Sequence, residues 1–244
     1  MISKTEHVKA LFETPQKYLD PRAYDIRIRI ETIGQFTEGL EFENILDIGC
    51  GDGSISLPLL SRCKKLTLLD LSKNMLHLAS KRIPSGRLND VEMIDGDFMA
   101  ANLEHQSFDL IFCIGVLAHV DSPAAVIEKV SNLAKPGAWI ILEFTDSFHF
   151  WGVPVVLYQS VLKLLRPAPY KLNRLRQIEV LKLCRHSGLG ILGLYRYGLP
   201  PLGSHKFLNQ EGMYDLTRRL FGSSKHNRKR WMGNQFIYRL QKSQ

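Results

Sequence analysis

Short, largely apolar runs separated by polar or turn-forming residues dominate the first 145 positions of the chain. They lie at residues 45–48, 66–69, 91–94, 108–113 and 138–144. Runs of this length that are continuous rather than alternating are typical of strands buried on both faces of a sheet. The pattern therefore predicts an α/β protein with a mostly parallel sheet.

Helix signals occupy the segments between these runs. Asp20 followed by proline is a common helix start, since the acid can cap the first turn and proline suits its first position. Ile26, Ile30 and Ile33 then recur at helical spacing. We predict a helix over about residues 21–39 that packs over the sheet.

Two further helices have serine caps. Ser72 precedes the segment that carries Met75, and Ser122 precedes a proline. A serine hydroxyl at this position can accept a free amide hydrogen of the first turn. We predict that the second of these helices ends at the Lys-Pro-Gly sequence of residues 135–137.

The pattern changes after residue 146. Residues 181–194 predict a helix followed by a sixth strand, and residues 234–240, with alternating aromatic side chains, predict a last, antiparallel strand. Between them, we expect a long insertion at residues 195–233. Residues 157–166 predict an amphipathic helix that is too short to span a bilayer and suits either a membrane interface or a lid on the site.

The charge of the chain is divided in a similar way. Residues 1–162 contain 15 Lys and Arg against 21 Asp and Glu, whereas residues 163–244 contain 17 against 3. Such a basic segment can meet an anionic membrane surface, a phosphorylated substrate or nucleic acid, or can be a solvated face. We expect a core with an N-terminal helical cap over residues 1–146. A substrate lobe that also contributes the last two strands would cover residues 147–244.

The composition is that of a globular protein, with 45% hydrophobic and 23% charged residues. The four cysteines have no Cys-x-x-Cys spacing, so neither a disulfide framework nor a zinc site is predicted. The first residues lack the apolar core of a signal peptide, and no run of about 18 apolar residues occurs. We therefore expect a cytoplasmic protein, with peripheral contact at the inner face of a membrane as an open alternative.

A glycine-rich turn follows the first predicted strand. Residues 44–53 read Asn-Ile-Leu-Asp-Ile-Gly-Cys-Gly-Asp-Gly, which places glycine at positions 49, 51 and 53. Glycine has no Cβ, so the backbone can turn sharply and a ligand can lie against its amide groups before a helix that we expect near Ser54. The dinucleotide fingerprint would require a third glycine at position 54, where this chain has serine.

Acidic residues accompany the first two predicted strands. Asp70 ends the run at residues 66–69, where a carboxylate can accept both hydroxyls of a ribose. This suits any adenosine cofactor and does not by itself separate S-adenosylmethionine from NAD. Asp47 lies two positions before the first glycine of the turn.

The glycine turn preceded by an acid resembles the first motif of the class I S-adenosylmethionine-dependent methyltransferases, and the resemblance covers roughly residues 29–146. It implies a Rossmann-like, doubly wound, mostly parallel seven-stranded sheet with an antiparallel last strand and a helical or irregular C-terminal insertion lobe. The cofactor would be S-adenosylmethionine and the product S-adenosylhomocysteine (SAH). The cofactor-binding residues that the resemblance implies are Arg29, Asp47, Gly49, Cys50, Gly51, Gly53, Asp70, Leu71, Met75, Asp97, Phe98, Cys113 and Gly115.

The resemblance also implies individual roles for some of these residues. Arg29 would meet the carboxylate of the methionine end, with a surface arginine as the alternative. Asp97 would accept the adenine amino group and Phe98 would pack on the ring, with an aspartate that only caps a turn as the alternative. Cys113 and Gly115 would contribute backbone contacts beside the methionine end.

A methyl acceptor with a hydroxyl group benefits from a general base, and an imidazole suits this role near neutral pH. His119, just beyond the fourth predicted strand, is the candidate catalytic residue. A histidine that merely caps or packs is the alternative. His149, Tyr158 and His205 in the second half of the chain are weaker candidates.

The chain resembles most the quinone-biosynthesis O-methyltransferases, with one departure. In those enzymes the stretch after the fourth strand reads Glu-x-x-Glu-His, and the acids are associated with a divalent metal. Here the aligned positions are Gly115, Ala118 and His119, so no metal ligand is predicted and a catechol precursor of a quinone is not assumed.

We therefore expect methylation, on oxygen, of a small-molecule acceptor that is amphiphilic or lipid-linked. RNA is an alternative acceptor that the basic segment would suit. It is disfavoured because residues 113–116 lack the Asn/Asp-Pro-Pro-Tyr sequence used to methylate base amines. A protein that binds the cofactor or a partner without turnover is the third alternative.

Overall fold

The computed structural model describes residues 4–149, 172–198 and 207–244. In these ranges the helices are α1 (Lys4–Leu11), α2 (Pro15–Leu19), α3 (Ala23–Phe36), α4 (Lys73–Arg82), α5 (Pro123–Leu133), α6 (Gln177–His186) and α7 (Gln210–Phe221). The strands are β1 (Phe42–Ile48), β2 (Cys63–Asp70), β3 (Val91–Asp95), β4 (Phe108–Ile114), β5 (Ala134–Thr145), β6 (Leu189–Tyr197) and β7 (Gln235–Lys242). The amphipathic helix predicted at residues 157–166, with Tyr158, and also His205 lie outside the described residues.

The strands form one seven-stranded sheet in the order β3-β2-β1-β4-β5-β7-β6. The strands from β1 to β5 pair in parallel, and β7 is antiparallel to both β5 and β6. The order reverses between β1 and β4, and ligands bind at such a switch point in open α/β sheets. The predicted doubly wound, Rossmann-like sheet with an antiparallel last strand is confirmed.

Apolar layers cover both faces of the sheet. In β1, Ile45 packs in the layer of α3 and α4, whereas Leu46 packs in the layer of α5 and α6, and neither side chain is exposed. Successive side chains of a strand point to opposite faces, so a strand covered on both sides is apolar at consecutive positions. This burial explains why continuous apolar runs predicted the first five strands.

The helix predicted near Ser54 is not an α-helix. The chain makes turns at residues 54–56 and then a 3-10 helix at Leu57–Arg62. Proline at position 58 has no amide hydrogen to donate, and β2 already begins at Cys63. Too few residues therefore remain for regular α-helical hydrogen bonding.

The helix predicted over residues 21–39 is shorter and packs a different face. It comprises α3, preceded by a 3-10 turn at Asp20–Arg22. Ile33 is buried as predicted, but Ile26 and Ile30 are only half-buried. The isoleucine spacing predicted the wrong face because three polar side chains, Asp25, Arg29 and Thr32, share the buried side with Ile28 and Phe36.

The boundary between α5 and β5 also differs from the prediction. Ser122 caps α5 as predicted, accepting the Ala125 amide at 3.2 Å, but the helix ends at Leu133 and the strand begins at once. Between the pairs Phe108–Ala134 and Leu110–Trp139 the register shifts, so the Lys-Pro-Gly sequence bulges out of the strand. A strand interrupted by a bulge resembles a turn in sequence.

The predicted insertion at residues 195–233 begins too early and contains regular structure. Tyr195 and Tyr197 are fully buried residues of β6, stacked with ring centroids 5.4 Å apart. The insertion also contributes α7, whose first turn is capped by Asn209 through the Gly212 amide at 2.8 Å. Across the described ranges, no helix is both long and apolar enough to cross a bilayer. The division at residue 146 stays a prediction.

Candidate functional site

Three glycines turn the chain at the carboxyl end of β1, beside the switch point. Gly49, Gly51 and Gly53 have φ values of +67°, +56° and +71°, a left-handed conformation that favours glycine. The Gly49 amide donates to the Leu69 carbonyl of β2 at 2.8 Å. The turn is thereby fixed to the neighbouring strand by its backbone.

The three glycines differ in what surrounds them. A Cβ on Gly49 would lie 2.9 Å from Val116 Cγ2, and one on Gly53 would lie 2.6 Å from Leu57 Cδ1. A Cβ on Gly51 would meet no atom of the described residues within 4 Å, its chain neighbours aside. Gly49 and Gly53 therefore serve close packing, whereas Gly51 presents an open backbone face to a ligand.

Asp70, at the carboxyl end of β2, holds this turn. Its Oδ2 accepts the Gly51 amide and its Oδ1 accepts the Ser72 amide, both at 2.8 Å. Burial raises the pKa of the Asp70 carboxyl above its ordinary value. Each carboxylate oxygen keeps a second acceptor site, so Asp70 can support the turn and still accept the hydroxyls of a ribose.

The residues after Asp70 begin α4. Ser72 caps the helix as predicted and accepts the Met75 amide at 3.3 Å. Leu71 is half-buried at this edge, but the Met75 side chain lies in the interior. Of the two, Leu71 is the better placed to contact a ligand with its side chain.

Asp47 and Cys50 lie beneath the turn rather than on its open face. Asp47 Oδ2 accepts the Ser56 hydroxyl at 2.6 Å, and burial raises the pKa of Asp47 to about 7. The Cys50 thiol is also buried, which raises its pKa well above its ordinary value. Both side chains shape the turn from below, and only the Cys50 backbone borders it.

Asp97 and Phe98 follow β3 at the same edge. Asp97 Oδ1 accepts the Met99 amide at 2.7 Å, which is the contact of a turn-capping aspartate. The Phe98 ring is buried in the core, with Lys129 Nζ 4.9 Å from its centroid. These contacts match the capping alternative, and the adenine-binding role of both residues stays a prediction.

The N-terminal segment crosses this edge of the sheet, which sequence reasoning missed. Thr5 donates to Asp97 Oδ2 at 3.3 Å, and Phe12 O accepts the Ser72 hydroxyl at 3.0 Å. The Phe12 ring meets His119 edge-on, with 6.0 Å between centroids. The segment therefore connects the loop after β3 with the turn after β4.

His119 lies in the turn that follows β4, four residues before α5 begins. Its amide donates to the Val116 carbonyl at 2.9 Å, and the residue is half-buried. Asn173 fixes this turn from a distant part of the chain, because its side-chain amide donates to Leu117 O at 2.9 Å and Val120 O at 2.6 Å. Because Asn173 is more than 50 residues away in sequence, this contact could not be predicted from the sequence.

Four buried polar side chains meet between α3 and the carboxyl ends of β5 and β6. Arg29 Nη2 lies 3.0 Å from Glu143 Oε1 and 3.1 Å from Asp25 Oδ2, and the Tyr197 hydroxyl donates to Asp25 Oδ1 at 2.6 Å. We call these four residues the buried ion cluster. Arg29 is thus placed near the switch point but already engages two carboxylates, and its contact with a cofactor stays a prediction.

The last two predicted contacts lie at the carboxyl end of β4. The Cys113 side chain is buried in the core, which raises the pKa of its thiol, so only its backbone borders the site. Gly115 follows with φ +72°, and a Cβ there would lie 3.8 Å from Glu143 Oε2. Gly115 therefore joins the turn of His119 to the buried ion cluster.

Exposed aromatic and basic side chains lie at the same sheet edge. Phe148 follows β5 and is 46% exposed, and Trp231 precedes β7 and is 63% exposed. The Arg176 guanidinium stacks 4.1 Å from the Phe148 ring centroid, while His149 Nε2 and Arg196 Nη2 lie 2.9 Å and 3.4 Å from Trp231 O. These five residues form what we call the aromatic–basic surface.

The observed groups fit a cofactor with an adenosine at one end and charges at the other. An open glycine face and the acceptors of Asp70 lie on the side of β2, and Glu143 lies on the side of β5. The structure brings the glycine turn, Asp70, Gly115 and His119 to one edge. It places the side chains of Asp47, Met75, Phe98 and Cys113 in the interior.

Comparisons with known proteins agree with this arrangement. The methyltransferase domain family matches residues 46–142. The ubiquinone biosynthesis O-methyltransferase of Chromobacterium violaceum is 29% identical over 172 residues, covering 69% of this chain and 74% of the relative. The enzyme of the same name from Pasteurella multocida is 26% identical over 221 residues, covering 86% of this chain and 91% of the relative.

A solved structure extends the likeness to the whole fold. Magnesium protoporphyrin IX methyltransferase from Synechocystis PCC 6803, solved with bound SAH, superposes with a TM-score of 0.65 at 15% sequence identity. The match covers 99% of this chain and 100% of that chain.

Proposed function

Because this chain is a class I S-adenosylmethionine-dependent methyltransferase, we propose that it methylates an oxygen of a small amphiphilic or lipid-linked acceptor. The cofactor supplies a methyl group that its sulfonium already activates. The protein then has to hold the acceptor in line with that group and exclude water. The glycine turn, with Asp70 and the backbone of Gly115, would bind the cofactor.

The aromatic–basic surface is the observation that carries the choice of acceptor. Exposed aromatic rings beside arginines suit the boundary between lipid headgroups and acyl chains. Such side chains can bury an apolar part among the acyl chains and keep a polar part in contact with water. The surface follows β5 and precedes β7, at the edge that also holds His119. An acceptor drawn from an anionic membrane surface would enter the site from this side.

The relatives support oxygen as the methylated atom. They are named ubiquinone biosynthesis O-methyltransferases, which places their methyl group on oxygen. Where the quinone enzymes have the two glutamates of Glu-x-x-Glu-His, this chain has Gly115 and Ala118, and only His119 matches. We therefore propose an amphiphilic acceptor in general and not the ubiquinone precursor itself.

His119 would act as the general base for the acceptor hydroxyl. Its position after Gly115, in a turn fixed by Asn173, puts an imidazole at the carboxyl end of β4. Proton removal by a positioned side chain contributes about 10²- to 10⁴-fold to rate.

Incubation of the purified protein with methyl-labelled cofactor and fractionated cell extract tests the proposal. We expect label in the lipid-extractable fraction, either in a methyl ether, which resists alkali, or in a methyl ester, which alkali hydrolyses. Label in RNA, which the basic segment would favour, or in polar amines would contradict it.

Sedimentation with vesicles tests the membrane side of the proposal. We expect the protein to bind vesicles that contain anionic phospholipid, in a salt-sensitive way, and Trp231→Ala to weaken this binding. Met93→Ala, which removes an exposed apolar side chain from the distant edge strand β3, is the matched control. Equal binding to neutral and anionic vesicles would contradict the role of the basic side chains.

A further inference from the structure

With both of its carboxyl groups ionised, the buried ion cluster carries more negative than positive charge. Asp25 and Glu143 face a single guanidinium, that of Arg29, and all three side chains are almost fully buried. Burial raises the pKa of Tyr197 well above its ordinary value, so its hydroxyl stays neutral and donates to Asp25. A buried charge without a partner is strongly destabilising. One more cation would therefore balance the charge of the cluster.

One carboxylate oxygen of this cluster accepts no hydrogen bond from the arginine. Glu143 Oε1 accepts from Arg29, whereas Oε2 makes no hydrogen bond to any residue that the structure describes. The side chain is only 2% exposed, and Oε2 lies 3.8 Å from the position of a Cβ on Gly115. Arg22 also attracts the Glu143 carboxylate, but it is exposed and is the weakest of the groups that affect its pKa. The free oxygen thus faces the Gly115 turn.

This position belongs to the candidate cofactor site. Glu143 pairs with Ile114, the last residue of β4, and the residue after Gly115, Val116, touches the Gly49 turn. The acceptors suited to a ribose lie across the switch point, at Asp70 of β2. A cofactor that spans the switch point with its nucleoside at Asp70 brings its other end to Glu143, and that end of S-adenosylmethionine carries two cationic groups.

We propose that Glu143 is a cofactor-binding residue whose Oε2 forms an ion pair with a cationic group of the methionine end of S-adenosylmethionine. Arg29, held by Asp25, fixes the other oxygen of the same carboxylate and so orients it. The cation is the α-ammonium or the sulfonium; both attract a carboxylate, but only the ammonium can also donate a hydrogen bond to it. The inference rests on the cofactor and is independent of the proposed acceptor.

Calorimetric titration of four probes separates the contributions of the charged groups. The probes are S-adenosylmethionine, decarboxylated S-adenosylmethionine, SAH and 5′-methylthioadenosine, which lacks the whole amino-acid end. The variant is Glu143→Gln, which keeps the size of the side chain and its bond to Arg29 but removes the charge. Glu92→Gln, an exposed position in β3, is the matched control.

We expect Glu143→Gln to weaken the binding of both S-adenosylmethionine and its decarboxylated form by about tenfold or more, because the variant loses one interaction between opposite charges. Binding of 5′-methylthioadenosine should stay within about twofold, which also shows that the variant is folded. SAH weakened to the same degree identifies the ammonium as the partner. SAH left unchanged identifies the sulfonium.

Three results would overturn the proposal. If S-adenosylmethionine weakens and its decarboxylated form does not, Glu143 acts only through Arg29 on the cofactor carboxylate. If all four probes weaken equally, the variant has deformed the pocket, and if none weakens, Oε2 has no role in binding. Failure of the acceptor proposal would leave these affinities unchanged.

Discussion

The two sides of the candidate site are built in different ways. On the side of β1 and β2, the glycine turn is held by backbone amides and by Asp70, which lies 19 residues from Gly51 in sequence. On the side of β4 and β5, Arg29 reaches Glu143 across 114 residues and Tyr197 reaches Asp25 across 172. A site made from backbone leaves its signature in a short motif, whereas one made from distant side chains does not.

The largest effect that we expect comes from the side of β4. His119→Gln should lower kcat with the acceptor found by labelling by about 10²- to 10⁴-fold, because the acceptor hydroxyl loses its base. The affinity for S-adenosylmethionine should stay within about twofold, since the cofactor contacts come from other residues. Steady-state kinetics and calorimetry together measure both quantities.

The control for this variant is His105→Gln, an exposed histidine before β4. We expect the His105→Gln variant to have the kcat of the wild type. A His119→Gln enzyme with wild-type kcat would leave packing against Phe12 as the role of this residue.

The next effect concerns Asp47, on the side of β1, and is a change in the free energy of unfolding with pH. The pKa of Asp47 is about 7 in the folded protein against an ordinary value of 3.8, so the folded state binds the proton more tightly than the unfolded one. Stability from this group is therefore present below about pH 4 and is lost as pH rises to about 7. The difference corresponds to at most about 4 kcal/mol.

Asp47→Asn should remove this loss. The free energy of unfolding of the variant, relative to the wild type, should rise between pH 4 and pH 8, whereas Asp121→Asn on the surface should show no such trend. Asp70 and Glu143, whose pKa values are also raised by burial, are present in every protein, so their own contributions cancel apart from the repulsion between Asp70 and Asp47. Urea unfolding at several pH values measures it, and a constant difference across that range would show that Asp47 is ionised in the folded state.

The same contrast explains what the sequence could predict. The strands, the glycine turn and the caps Ser72 and Ser122 depend on neighbouring residues, and the structure has them. The buried face of α3 could not be read from its isoleucines, because Arg29 is buried only where Glu143 meets it. Contact of Asn173 with the His119 turn likewise depends on the fold itself.

The smallest effects distinguish two glycines of one turn. Gly53→Ala adds a Cβ 2.6 Å from Leu57 Cδ1 in addition to the strain of a positive φ, so it should destabilise the protein by about 2–4 kcal/mol. Gly51→Ala has only the strain, roughly 1–2 kcal/mol, because no described residue other than its chain neighbours has an atom within 4 Å of the new carbon.

The order reverses for ligand binding. The Cβ of Gly51→Ala occupies the open face of the turn, so we expect the affinity for S-adenosylmethionine to fall by about tenfold or more. Folded Gly53→Ala should lose less, since its new carbon points at Leu57. Urea unfolding and calorimetry on both variants measure the contrast. If Gly51→Ala binds the cofactor as the wild type does, the open face belongs to solvent, and the backbone-built side of the site has to be sought elsewhere in the turn.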